Sequence, residues 1–236
     1  MKKFFFMFLF CFCYAALFSD NADIEYPVSS SFFPLNLGNV LYYKGYKTGE
    51  PEKLLKIRAD VASIENVEGV DYYFFNAPSA DIRYLIRKDK DAVLLKLMRF
   101  PFPIFNFSVS AVFYPEFLML KFPILKGRKW HYEGKAKAKI FGIFTITRDV
   151  TADFEVVRRE KVITDAGRLD TYHVIMRVDE GDGQGIKTYK YWYAKNIGFA
   201  ISNTDADKCE LVGYVVKSDV DGIVRKKIPE REEEYK

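Results

Sequence analysis

The chain has 236 residues, of which 49% are hydrophobic and 17% aromatic, and its 36 Lys and Arg against 32 Asp and Glu give a formal net charge of +4. So small an imbalance supplies no concentrated basic field, which argues against nucleic acid as a partner. The wealth of Phe and Tyr points instead to a strand-rich body, with length enough for one sizeable β domain or two fused modules.

Met1-Lys2-Lys3 precedes a run from Phe4 to Phe18 without a charge. A basic start before a short apolar run has the form of a secretory signal peptide, and the run is shorter than the roughly 20 residues a bilayer-spanning helix needs. Cleavage is expected near Ser19, giving a signal peptide over 1–19 and a periplasmic or envelope location; a retained anchor, or lipidation at Cys11 or Cys13, are the alternatives. Loss of Lys2 and Lys3 would leave 34 basic against 32 acidic residues, and Cys209 as the one remaining thiol. A single thiol makes no intrachain disulfide, and Cys209, at the head of an apolar run, reads as a small buried hydrophobe.

Residues 20–31 form a polar leader. A phrase that the chain uses twice follows: Phe33-Pro34-Leu35 with Gly38, Leu41, Tyr43 and Gly45 returns as Phe122-Pro123-Ile124 with Gly127, Trp130, Tyr132 and Gly134. Proline fixes one backbone angle, glycine permits a turn, and an alternating strand then begins, so the phrase describes a doorway into a β module. Two related modules are expected, over 32–99 and 122–228, with connecting aromatic strands at 100–121 and a charged tail at 229–236.

In the first module Lys53–Asn66 alternates apolar and charged residues. Val70–Asn76 is aromatic, and Ile82–Ile86 pairs with Ala92–Met98 across a charged tip. In the second, Lys135–Ile146 is read as one strand with Ala136, Ala138, Ile140 and Phe144 on one side. Lys135, Lys137 and Lys139 lie opposite, on a face either guarded against edge aggregation or able to touch anionic lipid. Val150–Ile163 and Arg168–Val178 join through Thr164–Gly167, and strands at 186–194, 197–203, 209–217 and 222–227 complete the chain. The tail from Pro229 has too little apolar content to pack and is expected to fray. The fold class is mainly β, antiparallel and strongly curved, as an incomplete barrel or two tandem modules with little helix.

Between the modules Phe100–Leu120 carries one charge, Glu116, while Pro101, Pro103 and Pro115 exclude a regular membrane helix. Phe105, Phe107, Val109 and Phe113 share one strand face. With Trp130, Tyr132 and Trp192 they are the candidate ligand-binding residues of a concave aromatic cavity, although the same alternation would serve a solid core. No catalytic constellation is visible: His131 and His173 are isolated strand residues, and no Ser or Cys sits at a nucleophile elbow. Zinc lacks ligands, Asp179–Gly183 is a turn rather than a calcium loop, and no cofactor is implied. A histidine set beside a carboxylate in a pocket would be the first sign of an enzyme.

The doorway phrase, with Trp192-Tyr193-Ala194 and Gly198 after it, resembles a family of exported bacterial envelope proteins of unknown function. Its members carry Phe-Pro-Leu-x-x-Gly-x-x-Trp-x-Tyr near the start of a module and Trp-Tyr-Ala-x-x-x-Gly near its end. The first copy departs from the pattern at Leu41. That family is similar in fold to the curved, incomplete barrels of the periplasmic lipoprotein carrier and receptor proteins (LolA/LolB-like), which implies an apolar cavity. The expected function is therefore a non-enzymatic envelope protein that binds lipid or lipoprotein acyl chains. The alternative is a structural module with a solid core whose partner is another envelope protein.

Overall fold

The computed structural model describes residues 32–47, 50–102, 107–140, 143–204, 207–218 and 222–235. The signal segment, the leader and Phe105 lie outside the described residues. Strands follow in chain order: β1 Val40–Lys47, β2 Glu50–Val67, β3 Val70–Ala77, β4 Ile82–Lys88, β5 Ala92–Phe102, β6 Phe107–Lys121 and β7 Lys129–Ile140. They continue as β8 Phe144–Thr164, β9 Gly167–Asp179, β10 Lys187–Ala194, β11 Gly198–Asn203, β12 Asp207–Lys217 and β13 Val224–Lys227. Each pairs antiparallel with the next, and β1 pairs with β12 from Val40↔Val215 to Lys47↔Asp207, so the curvature carries the sheet to closure as a barrel. β13 is an extra strand laid on the end of β12.

Twelve strands explain the aromatic composition. About eight strands leave a lumen that ordinary side chains fill, and diameter grows with strand number. This lumen is wider, and it is filled by large rings on the inward positions, among them Tyr84, Phe113, Trp130, Phe154, Tyr172 and Tyr193, each buried. One continuous core runs through the barrel, while a small second cluster of Tyr42, Val212 and Tyr235 sits on the outer face.

The two doorway phrases open matching structures at one end of the barrel. Gly38 and Gly127 both adopt φ of 80°, in the region that favours glycine. The Asn39 N–H donates to Asn36 and the Arg128 N–H to Leu125, at 3.1 and 3.0 Å; Gly38 N and Gly127 N donate to Val61 and Val156. Val61 and Val156 return the bond to Asn39 and Arg128, and a bulge follows each of them. Phe32 and Phe33 fold inward at this end, edge-on to Tyr172 and Phe199.

The barrel wall has a seam where β11 meets β12. β11 pairs with β12 only from Ile201↔Glu210 to Asn203↔Lys208. The tip of the β8–β9 hairpin covers the gap: Ala166 N donates to Leu211 O at 3.4 Å and Lys44 Nζ reaches Asp165 at 2.8 Å.

Two expectations are corrected. Lys135–Ile146 is not one strand, because the chain reverses between Ile140 and Phe144. In that hairpin Ala138 pairs with Ile146 and Ile140 with Phe144, so partners share parity and the alternation runs unbroken through the turn, hiding it. The tail is not frayed either. Glu232–Tyr235 forms a 3-10 turn in which Tyr235 is buried edge-on to Tyr42, the Tyr42 hydroxyl donates to Glu232 at 2.5 Å, and Lys56 pairs with Glu234. One aromatic residue, one hydrogen bond and one ion pair anchor a segment whose overall composition reads as unpackable.

Candidate functional site

The lumen contains a cavity of about 80 Å³ toward the end opposite the doorways. Strands β4 to β11 contribute to it, because inward positions of neighbouring strands converge in a closed barrel. Tyr84, Met98, Phe113, Phe154, Met176, Tyr191 and Phe199 make an almost wholly apolar wall, softened by methionine, and Ala111 and Ala136 leave the space that larger residues would fill.

Arg148 and Glu180 are the charged groups in the lining. Glu180, at the β9–β10 turn, accepts from Lys187 Nζ at 2.5 Å and from the Tyr189 hydroxyl at 3.1 Å. Burial raises its carboxyl above the usual range, with Lys187 opposing. Burial would also raise Asp182, but the Gln184 N–H, Lys187 and Arg148 outweigh it and hold that carboxyl low. The turn is pressed onto β8, since a Cβ on Gly181 would meet Asp149 O at 2.4 Å. The cavity is thus apolar in its depth and charge-balanced at its rim. Tyr84, Tyr191 and Tyr193 stay protonated, their hydroxyls pushed up chiefly by burial, so they offer neutral donors and no base.

Of the candidate residues, Phe113 lines the cavity and Val109 is buried on the same face of β6. Phe107 opens β6 opposite Phe102, its side chain outside the described residues, as is all of Phe105. Trp130 stands one layer behind, stacked on Phe154 at 4.8 Å. Tyr132 donates to Pro115 O at 2.9 Å, its hydroxyl pushed up to about 12 by burial, and packs 4.6 Å from the Phe117 ring. Trp192 stands apart: on β10 the lumen takes Tyr191 and Tyr193, and Trp192 faces outward, stacked on His173 at 4.2 Å and donating to Glu160 at 2.8 Å. The contributions of Tyr84, Met98, Phe154, Met176 and Phe199 escape a reading of one strand at a time, since strand pairing and closure together bring them to Phe113.

Both histidines do stand beside carboxylates, His131 Nδ1 at 2.8 Å from Asp153 and His173 Nδ1 at 3.6 Å from Glu160. Neither is in the lining of the lumen cavity: His131 and Asp153 are exposed on the outer wall, and His173 is sealed under Trp192. Among the described residues no cluster of His, Cys, Asp and Glu could hold a metal ion.

Comparison with protein-family models and with curated proteins gave no match. Among solved structures, the chain is similar to one from Bacteroides fragilis NCTC 9343, described as an exported protein with YmcC-like fold, with a TM-score of 0.51 and 17% identity over 78% of this chain and 98% of that one. A chain from Parabacteroides distasonis ATCC 8503, described as a lipoprotein, gives a TM-score of 0.46 and 16% identity over 78% of this chain and 97% of that one. At such identities the likeness to the first is one of fold.

Proposed function

We propose that the protein is a non-enzymatic component of the bacterial envelope whose barrel lumen takes the apolar segment of a lipid or acylated ligand. The observation that carries this reading is the cavity itself, apolar along Met98, Phe113, Phe154 and Met176 and bordered by Arg148 and by Glu180, which Lys187 pairs. An apolar wall with few convergent polar groups is what a site for an amphiphile needs. The basic start and uncharged run at Phe4–Phe18, together with the description of the Bacteroides fragilis chain as exported, support the envelope as its place. The matching doorways support a barrel assembled from two related halves, β1–β6 and β7–β12.

At about 80 Å³ the empty space is below the 300–1,000 Å³ typical of ligand pockets. It accepts a short terminal segment as it stands, and a longer one as Met98, Met119 and Met176 re-pack. The same small volume favours a second reading, a structural envelope module with a solid core and a protein partner.

Uptake of a fluorescent fatty acid, with native mass spectrometry of gently extracted protein, separates the two. The lipid reading predicts copurified lipid and saturable uptake that Ala111→Phe abolishes while the β circular-dichroism signal persists. No lipid and no uptake by the wild type would leave the structural module.

A further inference from the structure

At the cavity end the β7–β8 hairpin runs on beyond the edge of β9, alongside β5 and β6. From Phe144 to Val150, β8 has β7 as its only sheet neighbour among the described residues, since its pairing with β9 begins at Thr151. At the tip, Ile143 and Phe144 are 79% and 65% exposed. Lys135, Lys137 and Lys139 stand exposed in a row on the outer face below it. Charge is sorted along the hairpin: between Lys135 and Asp149 the charged residues are those three lysines, Arg148 and Asp149, whereas Glu133, Asp153 and Glu155 lie toward its base.

Protection of a bare edge does not account for the lysines. Lys135 to Lys139 are flanked on both sides, by Tyr114 to Ser110 of β6 and by Asp149 to Thr145 of β8, so this part of β7 has no open edge to guard. Lys135 is engaged by Asp149 at 2.8 Å and Lys137 lies 4.9 Å over the Tyr114 ring, while Lys139, next to the tip, makes no ion pair among the described residues. The exposed Ile143–Phe144 pair gains nothing in water.

We propose that this hairpin docks the barrel on an anionic phospholipid surface, with Ile143 and Phe144 entering the interface and Lys137 and Lys139 meeting the phosphates. An apolar tip backed by a basic face satisfies both terms of interfacial binding, burial of apolar area and attraction to negative headgroups. Docking here turns the cavity rim at Arg148 and Glu180 toward the bilayer, but it does not require that the cavity be loaded.

The test places a reporter at the tip. Phe144→Trp in the full chain is mixed with vesicles of phosphatidylglycerol and phosphatidylethanolamine carrying acyl-brominated lipid, and with vesicles of phosphatidylcholine alone. The reporter is local, so attachment through Phe4–Phe18 does not itself quench it, and the native Trp130 and Trp192 set a constant background. The expected result is a blue shift and quenching on the anionic vesicles, weakened at least tenfold by adding Lys137→Gln and Lys139→Gln, since each cation near such a surface is worth roughly fivefold. An unchanged spectrum, or an equal response on phosphatidylcholine, overturns the proposal, as does capture of an acidic envelope protein without any vesicle response. Repeating the measurement in the Ala111→Phe background separates docking from lumen loading: a retained response with lost fatty-acid uptake means that the two are independent, and uptake without a vesicle response removes the docking alone.

Discussion

His173 occupies an unusual position for a histidine on the outside of a barrel. Trp192 covers it, no hydrogen-bond partner reaches either ring nitrogen, and burial pushes its pKa down to about 4, with Glu160 pulling the other way and Arg158 and Lys190 adding to the fall. Between that value and the ordinary 6.5 the unfolded chain binds a proton that the folded chain refuses, so stability falls as pH drops through the window and recovers above it. We expect the denaturant midpoint of the wild type to fall between pH 7 and pH 4.5. His173→Phe, which keeps a ring against Trp192 and cannot charge, should have a shallower fall; an identical slope would remove His173 as the cause. Residue parity also explains what the sequence alone could say of the site. On β10 both faces are aromatic, with Tyr189, Tyr191 and Tyr193 inward and Trp192 outward, so a motif centred on Trp192 marks the strand correctly and the face not at all. On β6 the polar Ser108 and Ser110 break that symmetry, and the inward placement of Val109 and Phe113 is legible.

At the level of elements, alternation makes most strands readable, because one face of each meets the lumen and the other meets water. It fails where geometry preserves the pattern across a turn, as in the β7–β8 hairpin, and where a few contacts outweigh composition, as in the tail. The tail's anchoring is a measurable contribution. Removing residues 229–236 uncovers Tyr42 and Val212 and takes away the Tyr235 ring and the Glu232 and Glu234 contacts. Loss of one buried aromatic side chain and its neighbours' cover is worth about 2 kcal/mol. Chemical denaturation of the truncated chain should show a loss of that order with an unchanged β signal. A midpoint equal to that of the full chain would mean that the 3-10 turn adds nothing to the barrel.

For the whole molecule, closure is the property that sequence patterns do not carry. Each inward stripe is visible on its own strand, yet nothing in the spacing says that β1 returns to β12 or that the inward positions of β4 and β10 face one cavity. The consequence is physical: a twelve-stranded lumen must be filled by large rings, and where Ala111 and Ala136 replace them the filling is incomplete. That residual space, with flexible methionines on its wall, is the basis of the proposed role. The most direct measurement is nuclear magnetic resonance of the full chain with carbon-13 labelled methionine methyls, titrated with a medium-chain fatty acid. Intermolecular nuclear Overhauser effects from the acyl chain to Met98 and Met176 are predicted, with none to the outward-facing Trp192. An acyl chain that contacts only the outer wall, or leaves every methionine methyl unmoved, would contradict a ligand-bearing lumen.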